Sequence, residues 1–214
     1  MSLPLVVLIG AGGHAKVVLE AVRAAGRFEA VGLVDPHPPA PHVLGLAVLG
    51  DDDVLAALRR QGVEAAVVAL GDNGLREKVA VRLQALGFAL PAIVHPAALV
   101  SPSARIGAGT VVMARAVIGT ETRIAELAII NTGAVIDHDN EIGMAAHVAP
   151  GAVLAGTVRV GARALVGVGS AVRPGISIGA DAIVGAGAAV VADVAVGSVV
   201  GGVPARPLRR EAMR

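Results

Sequence analysis

The sequence predicts an α/β domain with a parallel sheet over residues 1–92, an all-β parallel β-helix over residues 93–200, and a short tail over 201–214. Two observations support this division. The first part alternates buried-type apolar runs with segments of helical period, which is typical of a parallel sheet with helices packed on it. The second part repeats an aliphatic residue every six positions, which fits short strands joined by tight corners.

Composition narrows the function classes. The 214 residues carry a net charge of +1, two Phe and no other aromatic residue, so neither a nucleic-acid footprint nor base-stacking side chains are evident. The hydrophobic fraction is 55%, yet no run approaches the roughly 18 apolar residues of a membrane span. The chain has no Cys, which excludes disulfides and a Cys nucleophile. No signal peptide precedes the first strand, so we expect a soluble cytoplasmic protein that uses neither a membrane nor a nucleic acid.

The N-terminal part alternates strands and helices. Apolar runs predict strands at 5–9, 30–34 and 65–70, and helical periodicity predicts helices at 15–25 and 51–60 and a third that follows the loop 71–74 and runs through Leu86. Gly26 follows the first helix as a plausible C-cap. Because parallel strands bind ligands at their carboxyl ends, the loops that follow these strands are the expected ligand site.

Three loops converge at that edge of the sheet: Gly10–His14, Asp35–His37 and Gly71–Asn73. A glycine loop that opens a helix offers backbone N–H groups and a positive dipole end to a phosphate. The pattern Gly10-x-Gly12-x-x-Ala15 is an approximate dinucleotide fingerprint, and Asp35 falls near the position of a ribose-binding acid. NAD is one alternative, but about 90 residues hold only half a dinucleotide fold, which favours a single nucleotide. A tight turn followed by an acid at a strand end is the purely structural alternative.

The repeat in the second part has one large aliphatic position every six residues. It comprises (196 − 94)/6 + 1 = 18 positions: Val94, Val100, Ile106, Val112, Ile118, Ile124, Ile130, Ile136, Ile142, Val148, Leu154, Val160, Val166, Val172, Ile178, Val184, Val190 and Val196. The residue two positions before each is mostly small, so every repeat supplies one large and one small inward side chain.

Most of the predicted β-helix surface carries no candidate site residues, and one polar stretch is the exception. Residues 131–141 read Asn-Thr-Gly-Ala-Val-Ile-Asp-His-Asp-Asn-Glu, and His147 follows. Because Ile136 points inward, His138 lies at the next corner with its side chain free to project outward. The adjacent Asp139 can fix the imidazole tautomer and raise its basicity, which suits a general base. A solvated corner histidine is the alternative.

Several motifs together resemble a known family. They are Gly10-Ala-Gly-Gly-His-Ala-Lys16, Leu70-Gly-Asp-Asn73, Ile93-Val-His-Pro96, Asn131-Thr-Gly-Ala-Val-Ile-Asp-His138 and Gly202-Val-Pro-Ala-Arg206. They resemble the hexapeptide-repeat acyltransferases, and more narrowly the acetyltransferases of sialic acids or of nucleotide-linked 4-amino sugars. This resemblance covers essentially the whole chain. It implies a Rossmann-like N-terminal domain, a left-handed β-helix with three hexads per coil, and a homotrimer with acetyl-CoA lying between subunits.

The resemblance also implies roles for individual residues. His138 matches the general base, Asp139 its supporting acid, and Asn131 belongs to the same catalytic motif. Gly156 lies 18 residues after His138, so in a three-hexad coil the two share a corner, and its N–H is our candidate oxyanion donor. The implied nucleotide-sugar site comprises Gly12, Gly13, His14, Asp35, Pro36, Gly71, Asp72 and Asn73. The implied acetyl-CoA contacts are His147, Val168, Ala186 and Arg206.

The predicted activity is transfer of an acetyl group from acetyl-CoA to the amine of a UDP- or GDP-linked amino sugar, with no metal. Three alternatives stay open: O-acetylation of a sialic acid, a non-catalytic trimeric nucleotide-sugar-binding protein, and a zinc enzyme with the same fold. Zinc-binding histidines on one column would differ by multiples of 18, and 147 − 138 = 9 does not. The tail arginines Arg206, Arg209, Arg210 and Arg214 could meet CoA phosphates or simply be solvated.

Overall fold

The computed structural model describes residues 2–208 and divides the chain into two compact units, the first ending at Pro96 and the second beginning at Ala97. This division falls four residues after the predicted one (96 − 92). The reason is local: Ile93, the first residue of the strand Ile93–Val94, is buried and lies against the first helix of unit 1.

The first unit is built around a parallel three-stranded sheet. Its elements are β1 (Leu5–Ile9), α1 (Gly13–Ala25), β2 (Glu29–Val34), β3 (His42–Val43), β4 (Leu46–Ala47), a 3₁₀ turn (Asp52–Val54), α2 (Leu55–Arg60), β5 (Ala65–Val68), α3 (Asn73–Ala85) and β6 (Ile93–Val94). The strand order is β2-β1-β5. The prediction of alternating strands and helices is confirmed, and the short antiparallel pair β3–β4 in the Pro-rich loop is an addition to it.

The apolar runs form the sheet because they are buried along almost their whole length. Within β1, Val6, Val7 and Leu8 are fully buried. Helix α1 starts directly after the glycine loop and ends at Gly26, which has φ 61° and caps the helix as predicted. The carboxyl ends of β1, β2 and β5 therefore lead into the three loops that were predicted to hold a ligand.

The second unit is a β-solenoid. Its strands are β7 (Leu99–Val100), β8 (Arg105–Ile106), β9 (Val111–Val112), β10 (Val117–Ile118), β11 (Arg123–Ile124), β12 (Ile129–Ile130), β13 (Val135–Ile136), β14 (Glu141–Ile142), β15 (His147–Val148), β16 (Val153–Leu154), β17 (Arg159–Val160), β18 (Leu165–Val166), β19 (Ala171–Val172), β20 (Ser177–Ile178), β21 (Ile183–Val184), β22 (Ala189–Val190), β23 (Val199–Gly201) and β24 (Arg206–Pro207). Every third strand pairs in parallel, for example Val135 with Val153. One coil is therefore 18 residues, or three hexads.

The predicted aliphatic column forms the solenoid core. Every member from Val112 to Val190 is buried. Val94, Val100 and Ile106 at the start of the column are half-buried. At its other end the predicted inward position of Val196 is wrong, since this residue is 72% exposed. The last coil is two residues shorter than the others, since Ile178 bridges to Val194 and Val184 pairs with Val200. Val194 and Val200 consequently take the inward positions.

Two outward faces of the solenoid differ in chemistry. The apolar face comprises the first residues of six stacked strands: Leu99, Val117, Val135, Val153, Ala171 and Ala189. The charged face comprises the first residues of five stacked strands: Arg105, Arg123, Glu141, Arg159 and Ser177. The corner that joins the apolar face to the charged face follows β10, β13, β16 and β19, and it contains the predicted catalytic stretch.

Within residues 2–208, no helix is long and apolar enough to cross a membrane. In the same described part of the chain, no three His, Asp or Glu side chains cluster as metal ligands would.

Candidate active site

His138 and Asp139 form a close pair at the corner after β13. The Nδ1 of His138 lies 2.8 Å from the Oδ2 of Asp139, and the two side chains are 54% and 55% exposed. Asp139 has φ 57°, a left-handed backbone conformation that Asp tolerates better than most residues and that turns its carboxylate back towards the imidazole. With Nδ1–H donated to Asp139, the lone pair of Nε2 points away from the carboxylate and is the atom that can accept a proton.

The surrounding charges strengthen this imidazole as a base. The hydrogen bond that His138 donates to Asp139, and after it the negative charge of Asp137, raise the pKa of His138 above its usual value. The same Asp137 carboxylate accepts the backbone N–H of His138 at 2.8 Å, which fixes the start of the corner. The arrangement is that of a general base whose protonated form is stabilised by a neighbouring carboxylate.

Gly156 lies directly beside the imidazole, one coil further on. The N–H of Thr157 donates to the carbonyl of His138 at 3.0 Å, so the two corners are stacked. A Cβ atom at position 156 would lie 2.5 Å from both Cε1 and Nε2 of His138. A glycine is required here because the ring occupies the space of a side chain. The structure thus brings together His138, Asp139 and Gly156, as the spacing predicts.

Asn131 and His147 form a second pair at a different corner. The Oδ1 of Asn131 accepts the N–H of Thr132 at 2.8 Å, which turns its Nδ2 towards the Nε2 of His147 at 3.0 Å. Since Nδ2 is a donor, Nε2 of His147 is the unprotonated nitrogen and Nδ1 holds the proton. Asn131 and His138 lie before and after β13, so the two pairs sit at opposite ends of one strand of the apolar face.

The other predicted acetyl-CoA contacts continue along the corner of Asn131. Val168 and Ala186 are both exposed and one coil apart, and the N–H of Gly187 donates to the Val168 carbonyl at 2.8 Å. Arg206 is exposed in β24, where its Nη1 donates to the Ala205 carbonyl at 2.9 Å. The predicted contacts Arg209, Arg210 and Arg214 lie outside the described residues.

In the first unit, Asp35 joins two of the predicted loops. Its Oδ2 accepts the N–H of Ala11 in the glycine loop at 2.7 Å, and its Oδ1 accepts the N–H of His37 at 2.8 Å. This carboxylate therefore holds the loops together in addition to its predicted contact with a ligand. Asp35 and Pro36 also line a pocket with Gly10, Leu70 and Leu75.

The glycines of the first loop have different functions. Gly10 is required by the fold, since it has φ 107° and its Cβ would lie 2.8 Å from Leu70. At Gly12 and Gly13 an added Cβ would meet nothing within 4 Å, so open space adjoins the start of α1. Burial, and after it the positive charge of Arg76, lower the pKa of the adjacent His14 to about 4. His14 is therefore a neutral imidazole at pH 7.

The third loop is held by a residue that the sequence analysis missed. Asp72 caps α3 by accepting the N–H of Leu75 at 2.7 Å. Arg76 is only 1% exposed; it donates to the Leu70 carbonyl at 3.0 Å and to Oδ1 of Asn73 at 2.8 Å. Burial lowers the pKa of Arg76 to about 10, and Asp72 opposes this shift, so the guanidinium is still charged. The only sign of this role in the sequence was an Arg at a position of α3 where the helical period predicts an apolar residue.

Asn140 was also missed. It lies at a hexad position that is small at most other corners, and it is fully buried. This exception to the repeat was visible in the sequence two residues after His138.

Several known proteins are similar to this chain. The model of the PglD N-terminal domain matches residues 5–83. UDP-N-acetylbacillosamine N-acetyltransferase of Bacillus subtilis (strain 168) is 39% identical over 110 residues, which are 51% of this chain and 51% of that protein. The matched region thus spans about half the length of this curated relative.

Solved structures match over nearly the full length. PerB from Caulobacter crescentus, in complex with CoA and GDP-perosamine, is 48% identical with a TM-score of 0.92, covering 97% of this chain and 99% of that one. The acetyltransferase domain of PglB from Neisseria gonorrhoeae FA1090, in complex with acetyl coenzyme A, is 38% identical with a TM-score of 0.92, covering 97% and 100%.

Proposed function

Because the chain belongs to the family of hexapeptide-repeat sugar N-acetyltransferases that includes PerB, we propose that it moves the acetyl group of acetyl-CoA onto the amine of a nucleotide-linked amino sugar. The observation that carries the proposal is the His138–Asp139 pair lying over Gly156: a base and a backbone N–H side by side on one corner. The identity with a GDP-perosamine-binding enzyme favours a GDP-linked 4-amino sugar over a UDP-linked one.

The first unit is proposed to hold the nucleotide. Gly12 and Gly13 leave room beside the start of α1, where backbone N–H groups and the helix dipole favour a phosphate. Asp35 and Pro36 line a neighbouring pocket. Gly71, Asp72 and Asn73 of the third loop are not among the residues that line it, and they are retained as predicted contacts. A neutral His14 can donate or accept a hydrogen bond there without adding charge.

In the proposed reaction the sugar amine attacks the thioester directly. The Nε2 of His138 takes a proton from the amine as the new C–N bond forms, and Asp139 stabilises the imidazolium. The N–H of Gly156 donates to the oxyanion of the tetrahedral intermediate. The C–S bond then breaks, and the proton passes to the sulfur of CoA. A Cys acyl-enzyme is excluded because the chain contains no Cys.

The acetyl-CoA site is proposed to be completed by a second copy of the chain in a homotrimer. Of its predicted contacts, Val168 and Ala186 lie at the corner of Asn131, and His147 in β15 reaches that corner through its contact with Asn131, whereas His138 lies at the next corner. The apolar face separates these corners, and Leu99 and Val153 on it are 69% and 43% exposed. If copies pack through this face, the His138 corner of one chain can meet the His147 corner of its neighbour, so the thioester would lie between chains. Arg206 is retained as a contact for CoA phosphates, and the cytoplasmic location stays a prediction.

Replacement of His138 by Ala tests the proposal. We expect kcat to fall by roughly 10²–10⁴-fold, which is the contribution of a general base. Binding of acetyl-CoA and of the GDP- or UDP-linked amino sugar should persist, because neither is held mainly by this side chain. Thermal shift with each ligand measures binding, since a ligand of the folded state raises Tm.

The product separates the remaining alternatives. Mass spectrometry and NMR of the wild-type product should place the acetyl group on nitrogen; an O-acetylated product would support the sialic-acid-type activity instead. A wild-type protein that binds both ligands without turnover would support the non-catalytic alternative. Near-normal turnover by His138→Ala would remove this residue from the mechanism.

A further inference from the structure

The buried side chain of Asn140 connects the two corners of the proposed site. It lies at the small inward position of its hexad, where eleven other repeats have Ala: Ala92, Ala98, Ala104, Ala116, Ala128, Ala134, Ala146, Ala152, Ala164, Ala182 and Ala188. The buried polar residues of the described solenoid all occupy this position: Thr110, Thr122, Asn140 and Ser170. Each donates a hydrogen bond from its side chain to a backbone carbonyl at a corner. Asn140 is the largest of them and the one beneath His138.

Its amide replaces the usual backbone bonds of two turns. At ordinary corners the N–H of the small residue donates to the carbonyl three residues earlier, as from Ala134 to Asn131 at 3.0 Å and from Ala146 to Gly143 at 3.1 Å. In the turn 137–140 this backbone bond is absent: the Asp137 carbonyl accepts from Nδ2 of Asn140 at 2.8 Å and from Oγ1 of Thr122 at 2.7 Å, and the N–H of Asn140 donates to Oγ1 of Thr122 at 3.4 Å. In the turn 155–158, Nδ2 of Asn140 donates to the Ala155 carbonyl at 3.0 Å. In the second turn, its Oδ1 accepts the N–H of Val158 at 3.1 Å.

The residues held in this way flank the reacting groups. The carbonyl of His138 lies 3.1 Å from Nδ2 of Asn140, where it shares one of the two amide N–H groups with a second carbonyl, and it accepts from the N–H of Thr157. Asp137 and His138 precede Asp139, while Ala155 and Thr157 flank Gly156. One buried amide therefore ties the backbone of the imidazole to the backbone that offers the oxyanion donor.

We propose that Asn140 is a positioning residue, which sets the distance and angle between the His138–Asp139 pair and the backbone N–H of Gly156. It does not touch substrate, and it acts through the two turns that it holds. The kinetic part of this inference rests on the proposed function, whereas the structural part concerns the imidazole alone.

Asn140→Ala is the direct test, because Ala is the residue that the repeat uses most often at this position and the coil is therefore expected to form. Thr110→Ala is the matched control. Thr110 is fully buried at the equivalent position, and its hydroxyl donates to the Ala125 carbonyl at 2.9 Å, at a corner with no predicted site residue. Both variants remove buried side-chain hydrogen bonds from the solenoid core, but only Asn140→Ala removes them beneath His138, where its amide contacts the carbonyls of Asp137 and Ala155 and the N–H of Val158.

In steady-state kinetics, we expect Asn140→Ala to lower kcat by about 10- to 100-fold, since misplacement of catalytic groups by about 1 Å costs rates of this order. The KM values for acetyl-CoA and the sugar nucleotide should stay within about 3-fold, because groups that bind in the ground state are untouched. Thr110→Ala should keep kcat within about 2-fold. Equal losses of kcat in the two variants, or a normal kcat in Asn140→Ala, would overturn the proposal.

An NMR titration of His138 separates this inference from the proposed function. In Asn140→Ala the loosened corner should weaken the bond to Asp139, so the imidazole should titrate at lower pH than in the wild type and in Thr110→Ala. A His138 titration curve that superimposes on that of the wild type would overturn the positioning role. Turnover that survives in His138→Ala would refute the catalytic proposal and leave this titration as an independent measurement. A partial return of kcat in Asn140→Ser is expected, since its hydroxyl can donate to the carbonyl three residues earlier, that of Asp137, as the hydroxyl of Ser170 donates to the Gly167 carbonyl. A kcat equal to that of Asn140→Ala would contradict the hydrogen-bonding basis.

Discussion

Substitution of Gly156 by Ala should displace the imidazole of His138 and slow turnover. A Cβ atom at this position would lie 2.5 Å from Cε1 and Nε2 of the ring. Carbon atoms in contact prefer about 3.5–4.0 Å, so the ring must retreat by about 1.0–1.5 Å. The bond from Nδ1 to Asp139 is 2.8 Å long, and it does not survive a lengthening of that size.

The expected loss in kcat is about 10²-fold, because a shift of about 1 Å in a catalytic group costs a factor of that order. The Gly156→Ala variant keeps the backbone N–H, so the loss would report on the position of the base and not on a missing oxyanion donor. KM for acetyl-CoA should change much less than kcat. The assay is steady-state release of CoA thiol, with unfolding followed in parallel to verify that the variant is folded.

Two controls make this test specific. Gly175→Ala adds a methyl group to the same column of corners, where the nearest neighbour of the added Cβ is Oγ1 of Thr157 at 3.9 Å. This variant should keep kcat within about 3-fold of the wild type, despite some backbone strain at φ 73°. In a His138→Ala background, Gly156→Ala should cost less than about 2-fold, since there is no ring left to displace. A normal kcat in Gly156→Ala, or the same fractional loss with and without the imidazole, would refute the reasoning.

Further predictions concern the pH profile and the assembly. The general base must be neutral, so kcat should fall as the pH drops through the raised pKa of His138. Asp139→Asn removes the main cause of that raised pKa and should therefore move the acidic limb of the kcat profile to lower pH. An acidic limb that stays in place would remove Asp139 from its supporting role. Val153→Asp places a charge on the apolar face and should dissociate the proposed trimer in sedimentation experiments, because a buried unpaired charge costs several kcal/mol. Arg105→Asp on the charged face should leave the assembly unchanged, and a trimer that persists in Val153→Asp would exclude that face as the interface.

The repeat made most of the solenoid predictable. A period of six with one large and one small inward residue fixes which side chains face the core, and the burial of Val112 through Val190 follows from it. The prediction failed at Val196 because the last coil is two residues shorter than the other coils. The large position continues through Val196 in the sequence, and only the strand pairing of Ile178 with Val194 shows that the chain has changed its register.

The sequence predicted where the site residues lie but not which residues hold them in place. The spacing of 18 brings Gly156 to His138, yet no periodicity can show that the ring lies over that glycine. Asn140 and Arg76 were missed because polar residues inside an apolar pattern are usually treated as tolerated exceptions. Both instead donate to backbone carbonyls, at 2.8 Å from Asn140 to Asp137 and at 3.0 Å from Arg76 to Leu70. A buried polar side chain needs hydrogen-bond partners. A polar residue at a position that is otherwise apolar in a repeat therefore indicates that the neighbouring backbone departs from the hydrogen bonding of the repeat.

The distribution of the predicted residues has a consequence for catalysis. His138 takes its partners Asp139 and Gly156 from its own corner, whereas His147 takes Asn131 from the corner before β13. A thioester carbonyl must reach the amine beside His138 to within about 3–3.5 Å for attack. Residues that hold CoA along the other corner of the same chain would have to direct the thioester across the whole apolar face. That face is uncovered in the single chain, since Leu99 and Val153 on it are exposed. In the proposed trimer, a symmetric neighbour that covers this face would both bury it and bring its own His147 towards His138, so one contact would bury the apolar surface and complete the site.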